Sequence, residues 1–193
     1  MRAALTIVAC TAVLAGCGSS DEAASRAGAA GPRSAASSPA ATKRALSGSP
    51  APLASLHSQA DRLLDGGPDA FKRRLAALKG HPVVVNKWAS WCGPCRAEFP
   101  FLQQQAVKRG RKVAFLGVNA NDNDGDAASF LKRFSLSYPS YKDPDLKVSA
   151  VFGGVQGFPT TAFYDSKGGL SYVHQGGYSS ERKLAADIDR YAN

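Results

Sequence analysis

Two cysteines, Cys92 and Cys95, are the residues of this chain whose type and spacing best suit covalent chemistry. They stand three positions apart in the 193-residue sequence, with Gly93 and Pro94 between them. Proline is favoured in the first turn of a helix, so the segment predicts a helix that begins at the cysteines. A thiol at a helix N-terminus faces unpaired backbone N–H groups, which lower its pKa and favour the nucleophilic thiolate. The spacing therefore predicts thiol–disulfide exchange, in which Cys92 attacks and Cys95 can attack the resulting mixed disulfide.

Other uses of a cysteine pair explain this spacing less well. A structural disulfide constrains the unfolded chain least when it closes so short a loop. A zinc or iron–sulfur site needs four ligands, usually two such pairs, and the sequence has no second pair. A copper site formed by both thiols and His174 stays open as an alternative, although nothing in the sequence places that imidazole near the cysteines. Redox exchange is the interpretation that we favour.

The first 17 residues predict export from the cytoplasm. Arg2 precedes an apolar run, Ala3 to Ala15, that is too short for a permanent transmembrane helix and typical of a signal peptide. The run ends in Leu14-Ala15-Gly16-Cys17, which resembles the lipobox of bacterial lipoproteins. In that interpretation Cys17 becomes lipidated and anchors the chain to the outer face of the cell membrane. The alternative is an ordinary secretory signal that is simply cleaved. In either case the cysteine pair enters a compartment where disulfides persist.

Composition divides the rest of the chain into a tether and one domain. Residues 18–52 are rich in Ala, Ser, Gly and Pro and have no aromatic side chain, so they predict a disordered tether. Residues 53–193 have the length of one ordinary globular domain. The net charge of +9 is spread along the chain. No basic run with interleaved aromatic residues supports nucleic-acid binding.

Hydrophobic periodicity within residues 53–193 predicts an α/β domain. Extended segments are expected at 83–85, 113–118, 138–141, 160–164 and 170–174, of which the last two form an antiparallel hairpin. Helical segments are expected at 53–64, 68–78, 95–109, 127–134, 146–151 and 180–191. Pro100 should bend the helix in which it lies. This order of elements implies a β-sheet covered by helices on both faces.

The residues around the cysteines resemble those of a known superfamily. The segment from Val83 to Phe99 reads VVVNKWASWCGPCRAEF, and a second segment, Gly157 to Thr161, reads GFPTT. Together they resemble the thioredoxin superfamily, and more narrowly the membrane-tethered TlpA/ResA-type thiol–disulfide oxidoreductases of bacteria. The resemblance covers residues 53–193. It implies a thioredoxin fold, with a central mixed β-sheet, helices on both faces and an N-terminal helical extension.

The resemblance also implies roles for individual residues. Cys92 would be the attacking thiol and Cys95 the resolving thiol of a redox-active disulfide. Pro159 would be a cis-proline that faces the pair and presents backbone to a substrate strand. Glu98 matches a buried acid, whose raised pKa would let it exchange a proton with Cys95; an exposed surface charge is the alternative. The substrate-binding residues would be Trp91, Gly93, Pro94, Phe158 and Pro159.

Two positions depart from the superfamily pattern. Asn86 stands where reducing members usually carry a buried aspartate. Because asparagine cannot accept a proton, that role would pass to Glu98 or to water. Phe158 replaces the valine or threonine expected before the proline, which leaves the redox potential and the choice of substrate open.

These observations predict a membrane-anchored, extracytoplasmic thiol–disulfide oxidoreductase that needs no cofactor beyond its disulfide. The resemblance implies protein dithiols or disulfides as substrates, and favours a reductant in cytochrome c maturation, with apocytochrome c and a membrane electron donor as partners. Two alternatives stay open. One is an oxidant that forms disulfides in secreted proteins, and the other is a copper-handling module.

Overall fold

A computed structural model describes residues 38–193 of the protein. Within that range the chain forms a single six-stranded sheet and seven helices. The strands are β1 Leu63–Leu64, β2 Val83–Trp88, β3 Ala114–Ala120, β4 Ser140–Asp143, β5 Thr160–Tyr164 and β6 Leu170–Gln175. The helices are α1 Pro39–Leu46, α2 Ala51–His57, α3 Gly67–Ala77, α4 Gly93–Arg109, α5 Asp124–Phe134, α6 Lys147–Ala150 and α7 Glu181–Tyr191.

The sheet is mixed, as predicted. Its strand order is β1-β4-β3-β2-β5-β6. The first four strands in this order are parallel to one another, whereas β5 is antiparallel to both β2 and β6. The predicted hairpin of β5 and β6 is therefore present. β2 lies between β3 and β5, so the strand that leads to the cysteines is hydrogen-bonded along both edges.

Two hydrophobic cores lie on opposite faces of the sheet. Successive side chains of a strand point to opposite faces, and β2 divides its residues accordingly. Val84 and Trp88 pack into the core formed with α4, α5 and α7. Val83 and Val85 pack into the core formed with α2, α3 and α6. The apolar run of β2 is thus explained by burial on both sides.

Helix α4 begins directly after the short connection from β2. Cys92 is its N-cap residue, and Pro94 lies in its first turn, where a missing N–H costs no hydrogen bond. The helix continues through Pro100 as one element to Arg109. The cysteine segment therefore lies at the carboxyl end of a central strand and at the amino end of a long helix.

The last part of the predicted tether differs from expectation. Residues 39–46 form α1 instead of a disordered segment. Ser38 caps this helix by accepting a hydrogen bond from the Ala41 N–H at 3.2 Å, and Pro39 occupies its first turn. Leu46 is buried at the end of α1, next to Gly110 at the end of α4. A single apolar anchor and a good cap thus order a segment whose composition is that of a linker.

The helix expected over residues 53–64 is also shorter than predicted. It ends at His57, and Leu63–Leu64 instead pairs in parallel with Ser140–Tyr141 of β4. Asp61 has a positive φ of 58°, and its N–H donates to the Tyr138 carbonyl at 3.3 Å. This turn ends the helical path and brings the two leucines alongside β4. The helix expected from 127 begins earlier, at Asp124, because the Asn123 side chain accepts a hydrogen bond from the Asp126 N–H.

The predicted signal peptide, Cys17 and residues 18–37 of the predicted tether lie outside the described residues. Among residues 38–193, none of the helices has both the length and the apolar character needed to span a membrane.

Candidate functional site

The cysteine pair forms a disulfide at the N-terminus of α4. The two Cα atoms are 5.3 Å apart, and the Cys92 sulfur accepts a hydrogen bond from the Cys95 N–H at 3.1 Å. Cys95 is fully buried, whereas Cys92 keeps 3% of its surface exposed. Both cysteines are therefore buried in the disulfide form, and Cys92 is the one that keeps some exposure. After reduction, the helix N-terminus would favour the thiolate of Cys92.

Asp122 fixes the connection between β2 and α4. Its carboxylate accepts hydrogen bonds from the Ser90 N–H at 2.6 Å and the Ser90 hydroxyl at 2.8 Å. It also accepts from the Asn119 side chain at 2.8 Å. The Arg96 guanidinium donates to the Ser90 carbonyl at 2.7 Å and 3.2 Å. Ser90 is thus bonded through its backbone and its side chain, which holds the residues next to Cys92 in one conformation. No local pattern in the sequence predicts this role of Asp122.

Trp91 is the aromatic residue directly before Cys92. It is 54% exposed, yet its indole N–H donates to the Asn121 carbonyl at 2.9 Å. Its ring lies 4.9 Å from the Phe158 ring, centroid to centroid, at an angle of 60°. The structure therefore brings together two of the predicted substrate-binding residues, one from each side of the site.

The Phe158–Pro159 peptide bond is cis, as the family resemblance implies. A Cβ atom built on Gly177 would lie 3.4 Å from Pro94 and 3.7 Å from Pro159, so the Gly177 backbone lies close to both prolines. The loop of Pro159 therefore adjoins the segment between the two cysteines. The Pro159 carbonyl accepts a hydrogen bond from the Gly176 N–H at 2.9 Å. Among residues 38–193, no backbone hydrogen bond is found for the N–H or the C=O of Phe158.

Glu98 lies on α4 one turn after Cys95 and is fully buried. One carboxylate oxygen accepts a hydrogen bond from the Asn86 amide at 2.8 Å, and the other accepts from the Tyr178 N–H at 2.9 Å. Burial raises the pKa of Glu98 from 4.5 to about 7, and these two hydrogen bonds oppose the rise. Glu98 is therefore placed inside the domain and not on the exposed side of the helix. A carboxyl group with this pKa can both accept and release a proton near neutral pH.

Asn86 connects Glu98 to the sheet. Its amide nitrogen donates to Glu98 and to the Thr161 hydroxyl at 3.1 Å. Its amide oxygen is buried and has no partner within the described part of the chain. Rotation of the amide by half a turn would present that oxygen to Glu98. Asn86 can therefore donate to an ionised Glu98 or accept from a protonated one.

His174, the residue of the copper alternative, lies on β6. Its ring stacks on Tyr178 with the centroids 4.2 Å apart, and its Nδ1 atom is 3.8 Å from the Asp187 carboxylate. The Tyr178 hydroxyl donates to the same carboxylate at 2.7 Å. Within residues 38–193, the His174 side chain thus contacts Tyr178 and Asp187.

Lys87 is a buried residue near the site, and it was not among the predicted site residues. It is fully buried on β2, and its Nζ atom lies 4.1 Å from the centroid of the Phe158 ring. Burial lowers the pKa of Lys87, and the charge of Asp143 opposes that effect. The signal was present in the sequence, because a lysine follows Asn86 in a strand that is otherwise apolar, and lysines are rarely buried without a partner.

Comparison with known proteins agrees with this geometry. A thiol-disulfide oxidoreductase ResA of Halalkalibacterium halodurans is 31% identical over 108 residues, which cover 55% of this chain and 61% of that protein. The match thus spans less than two thirds of that relative. A secreted disulfide oxidoreductase of Mycobacterium tuberculosis, described as homologous to DsbE of Escherichia coli, superimposes with a TM-score of 0.54 at 27% identity. That alignment covers 60% of this chain and 85% of the other.

A solved structure of an exposed lipoprotein thioredoxin from Streptococcus pneumoniae is also similar. It superimposes with a TM-score of 0.53 at 26% identity, over 60% of this chain and 89% of that one. These likenesses confirm the predicted thioredoxin fold and the ResA-type resemblance. The family model described as Redoxin matches residues 46–188. This range includes both cysteines, Glu98 and the cis-proline. This chain belongs to the redoxin family.

Proposed function

We propose that the protein is a thiol–disulfide oxidoreductase that exchanges its Cys92–Cys95 disulfide with protein substrates. The observation that carries the proposal is the Cys92–Cys95 disulfide at the N-terminus of α4, in a protein that also holds Pro159 in a cis peptide bond. Cys92, at the N-cap, suits the attacking thiol, and Cys95, one turn later, is close enough to resolve the mixed disulfide.

The reaction conserves electrons and protons in two steps. In the reducing direction, the Cys92 thiolate attacks one sulfur of a substrate disulfide, which forms a mixed disulfide and releases one substrate thiolate. The Cys95 thiolate then attacks the Cys92 sulfur and releases the second substrate thiolate. The substrate gains two electrons and two protons, and the protein returns to the disulfide form described here. A dithiol donor must reduce that disulfide before the next cycle.

Glu98 is the proposed proton acceptor for Cys95. Cys95 is fully buried, so solvent cannot readily remove its proton. An ordinary cysteine has a pKa of about 8.5 and reacts only as the thiolate. A buried carboxylate with a pKa of about 7 one turn along the same helix is suited to this task. Asn86 would stabilise whichever protonation state results.

The proposal also includes the direction of exchange, which is reduction of the substrate, and an extracytoplasmic location. The apolar N-terminal run and the Leu-Ala-Gly-Cys17 segment support a lipid-anchored, extracytoplasmic protein. The secreted and lipoprotein relatives support the same location. The ResA-type resemblance supports reduction of the haem-attachment cysteines of apocytochrome c, with electrons from a membrane donor.

Trapping tests the exchange reaction. Cys95→Ser should accumulate a mixed disulfide with a protein substrate, visible on non-reducing gels and released by dithiothreitol, because the resolving thiol is missing. Cys92→Ser is the matched control and should trap nothing. Equal trapping by both variants would contradict the assigned roles.

Direction is tested with a peptide that carries an oxidised Cys-x-x-Cys-His sequence. The reduced protein should reduce this peptide, and its own reduction potential should lie below about −200 mV. A potential of about −120 mV would instead establish a disulfide-forming oxidant.

Stoichiometric Cu(I) binding that survives glutathione and requires His174 would favour the copper-handling alternative. Membrane anchoring is tested by Cys17→Ser, which should move the protein from the membrane fraction to the soluble fraction.

A further inference from the structure

Lys87 is completely buried in the central strand of the sheet. A buried ammonium group must find partners, since an unpaired charge in the interior costs several kcal/mol. The ammonium group donates to the Gly154 carbonyl and lies 3.5 Å from the Gln156 carbonyl. Both carbonyls belong to the segment that precedes the cis-proline. The hydrogen bonds of Lys87 therefore connect the strand that leads to the cysteines with the loop that presents Pro159.

The same ammonium group contacts Phe158, which forms an aromatic pair with Trp91, the residue next to Cys92. Its Nζ atom is 4.1 Å from the centre of the Phe158 ring, within the range of a cation–π interaction. Phe158 in turn lies 4.9 Å from Trp91. Trp91 is fixed separately by its bond to the Asn121 carbonyl. The position of the Phe158 ring thus depends on Lys87, whereas the position of the Trp91 ring does not.

The charge of Lys87 is balanced by a buried acid on the same face of the sheet. Asp143 raises the pKa of Lys87 against the effect of burial. The Asp143 carboxylate accepts hydrogen bonds from the Val148 and Ser149 N–H groups and from the Ser149 hydroxyl. This arrangement keeps Asp143 in place at the start of α6. A well-packed apolar residue at position 87 would avoid the desolvation of the Lys87 ammonium group, so packing alone does not explain the lysine.

We propose that Lys87 is a positioning residue for protein substrates: it fixes the 154–158 loop and the Phe158 ring, so that the aromatic pair receives an apolar residue of the substrate next to its cysteine. The inference rests on the proposed thiol–disulfide exchange and adds to it the residue that sets affinity for extended protein segments. Small disulfides, which reach Cys92 without contacting the aromatic pair, should not depend on Lys87.

The test compares a protein disulfide with a small one. Wild type, Lys87→Met and Lys87→Arg are assayed under turnover with insulin, with dithiothreitol as the reductant that regenerates the dithiol, and the reduced proteins are assayed in single turnover with 5,5′-dithiobis(2-nitrobenzoate). For Lys87→Met, KM for insulin should rise about 5- to 30-fold with kcat changed less than about twofold, because the lost interaction positions the substrate. The rate with the small disulfide should stay within about twofold of wild type. Lys87→Arg keeps the cation and should restore KM for insulin to within about threefold.

A double-mutant cycle connects the effect to the ring. If Lys87 acts through Phe158, the combined Lys87→Met and Phe158→Leu variant should have the KM of Phe158→Leu alone, whereas independent effects would multiply. A folded Lys87→Met protein with the wild-type KM for insulin overturns the proposal. Equal losses with both disulfides also overturn it, because they indicate a general structural role.

Two further outcomes are decisive. If Lys87→Met does not fold by circular dichroism, Lys87→Gln replaces it, and a wild-type KM in that uncharged variant overturns the proposal. If wild type itself reduces neither disulfide, the proposed function fails, and that result is distinct from a failure of the Lys87 inference alone.

Discussion

Replacement of Glu98 by glutamine should change how the stability of the protein depends on pH. The folded protein raises the pKa of Glu98 from 4.5 to about 7, so between these values the folded state binds this proton more tightly than the unfolded state does. Stability falls with rising pH wherever the folded state binds more protons. At about 1.4 kcal/mol per pKa unit, the ionisation of Glu98 should cost the wild type about 3 kcal/mol between pH 4 and pH 8.

Glutamine removes this cost and still fits the hydrogen bonds of the site. Its oxygen can accept from the Tyr178 N–H, and its amide can donate to the Asn86 oxygen, which has no other partner within residues 38–193. The amide of Asn86 needs only to rotate. Glu98→Gln should therefore fold, and its advantage over the wild type should grow with pH.

The measurement is urea unfolding of the oxidised proteins at intervals from pH 4 to pH 8. The difference in unfolding free energy between Glu98→Gln and wild type should rise by about 3 kcal/mol over this range, since all other groups are shared. Asp145→Asn is the matched control: it removes one exposed carboxylate and should change the unfolding free energy by less than about 0.5 kcal/mol. A difference that stays constant with pH, or that rises only around pH 4.5, would refute a buried carboxyl group with a raised pKa.

Three other perturbations test the packing that positions the site. Asp122→Ala removes the acceptor of both Ser90 donors and should lower the unfolding free energy by about 2 kcal/mol in urea, whereas Asp122→Asn keeps one acceptor oxygen and should lose less. Leu46→Ala should cost about 2 kcal/mol or more, and an unchanged stability would mean that α1 does not pack on the domain. Asp189→Asn breaks the exposed ion pair with Arg109 and should change stability by less than about 1 kcal/mol in the same assay.

The sequence predicted those parts of the fold that depend on local patterns. The apolar run of β2, the proline in the first turn of α4 and the hairpin of β5 and β6 each depend on nearby residues. The cysteine spacing predicted the reactive end of α4 for the same reason. The cis bond before Pro159 followed from the family resemblance and not from local pattern.

The remaining features depend on contacts between distant residues. Residues 39–46 have the composition of a linker, but Leu46 finds a buried position beside α4. Asp122 appears as one aspartate of a polar loop until the fold brings it to Ser90. The helix expected over residues 53–64 ends early because Leu63–Leu64 pairs with β4, a strand that lies far along the chain. Such long-range pairings override local propensity.

The two polar residues of β2 are best explained together. A central strand that is buried on both faces has little reason to contain Asn86 and Lys87 next to each other, because each polar group needs a partner where water is absent. Their side chains point to opposite faces, and each partner lies on an element of the reactive site. Asn86 bonds to Glu98 on the helix of the cysteines, and Lys87 contacts Phe158 in the cis-proline loop.

One strand end can therefore serve both requirements of the proposed exchange reaction. The Asn86 face stabilises the group that would take the proton of Cys95, and the Lys87 face orients the residues that would receive the substrate. Phe158 packs against both cores, but the hydrogen bonds of Asn86 and those of Lys87 go to different residues, so the two functions should be separable by mutation. Asn86→Ala should alter the pH profile of exchange and leave KM for a protein disulfide unchanged, whereas Lys87→Met should do the reverse. A pH profile that moves with Lys87→Met, or a KM that rises with Asn86→Ala, would show instead that the strand end acts as a single unit.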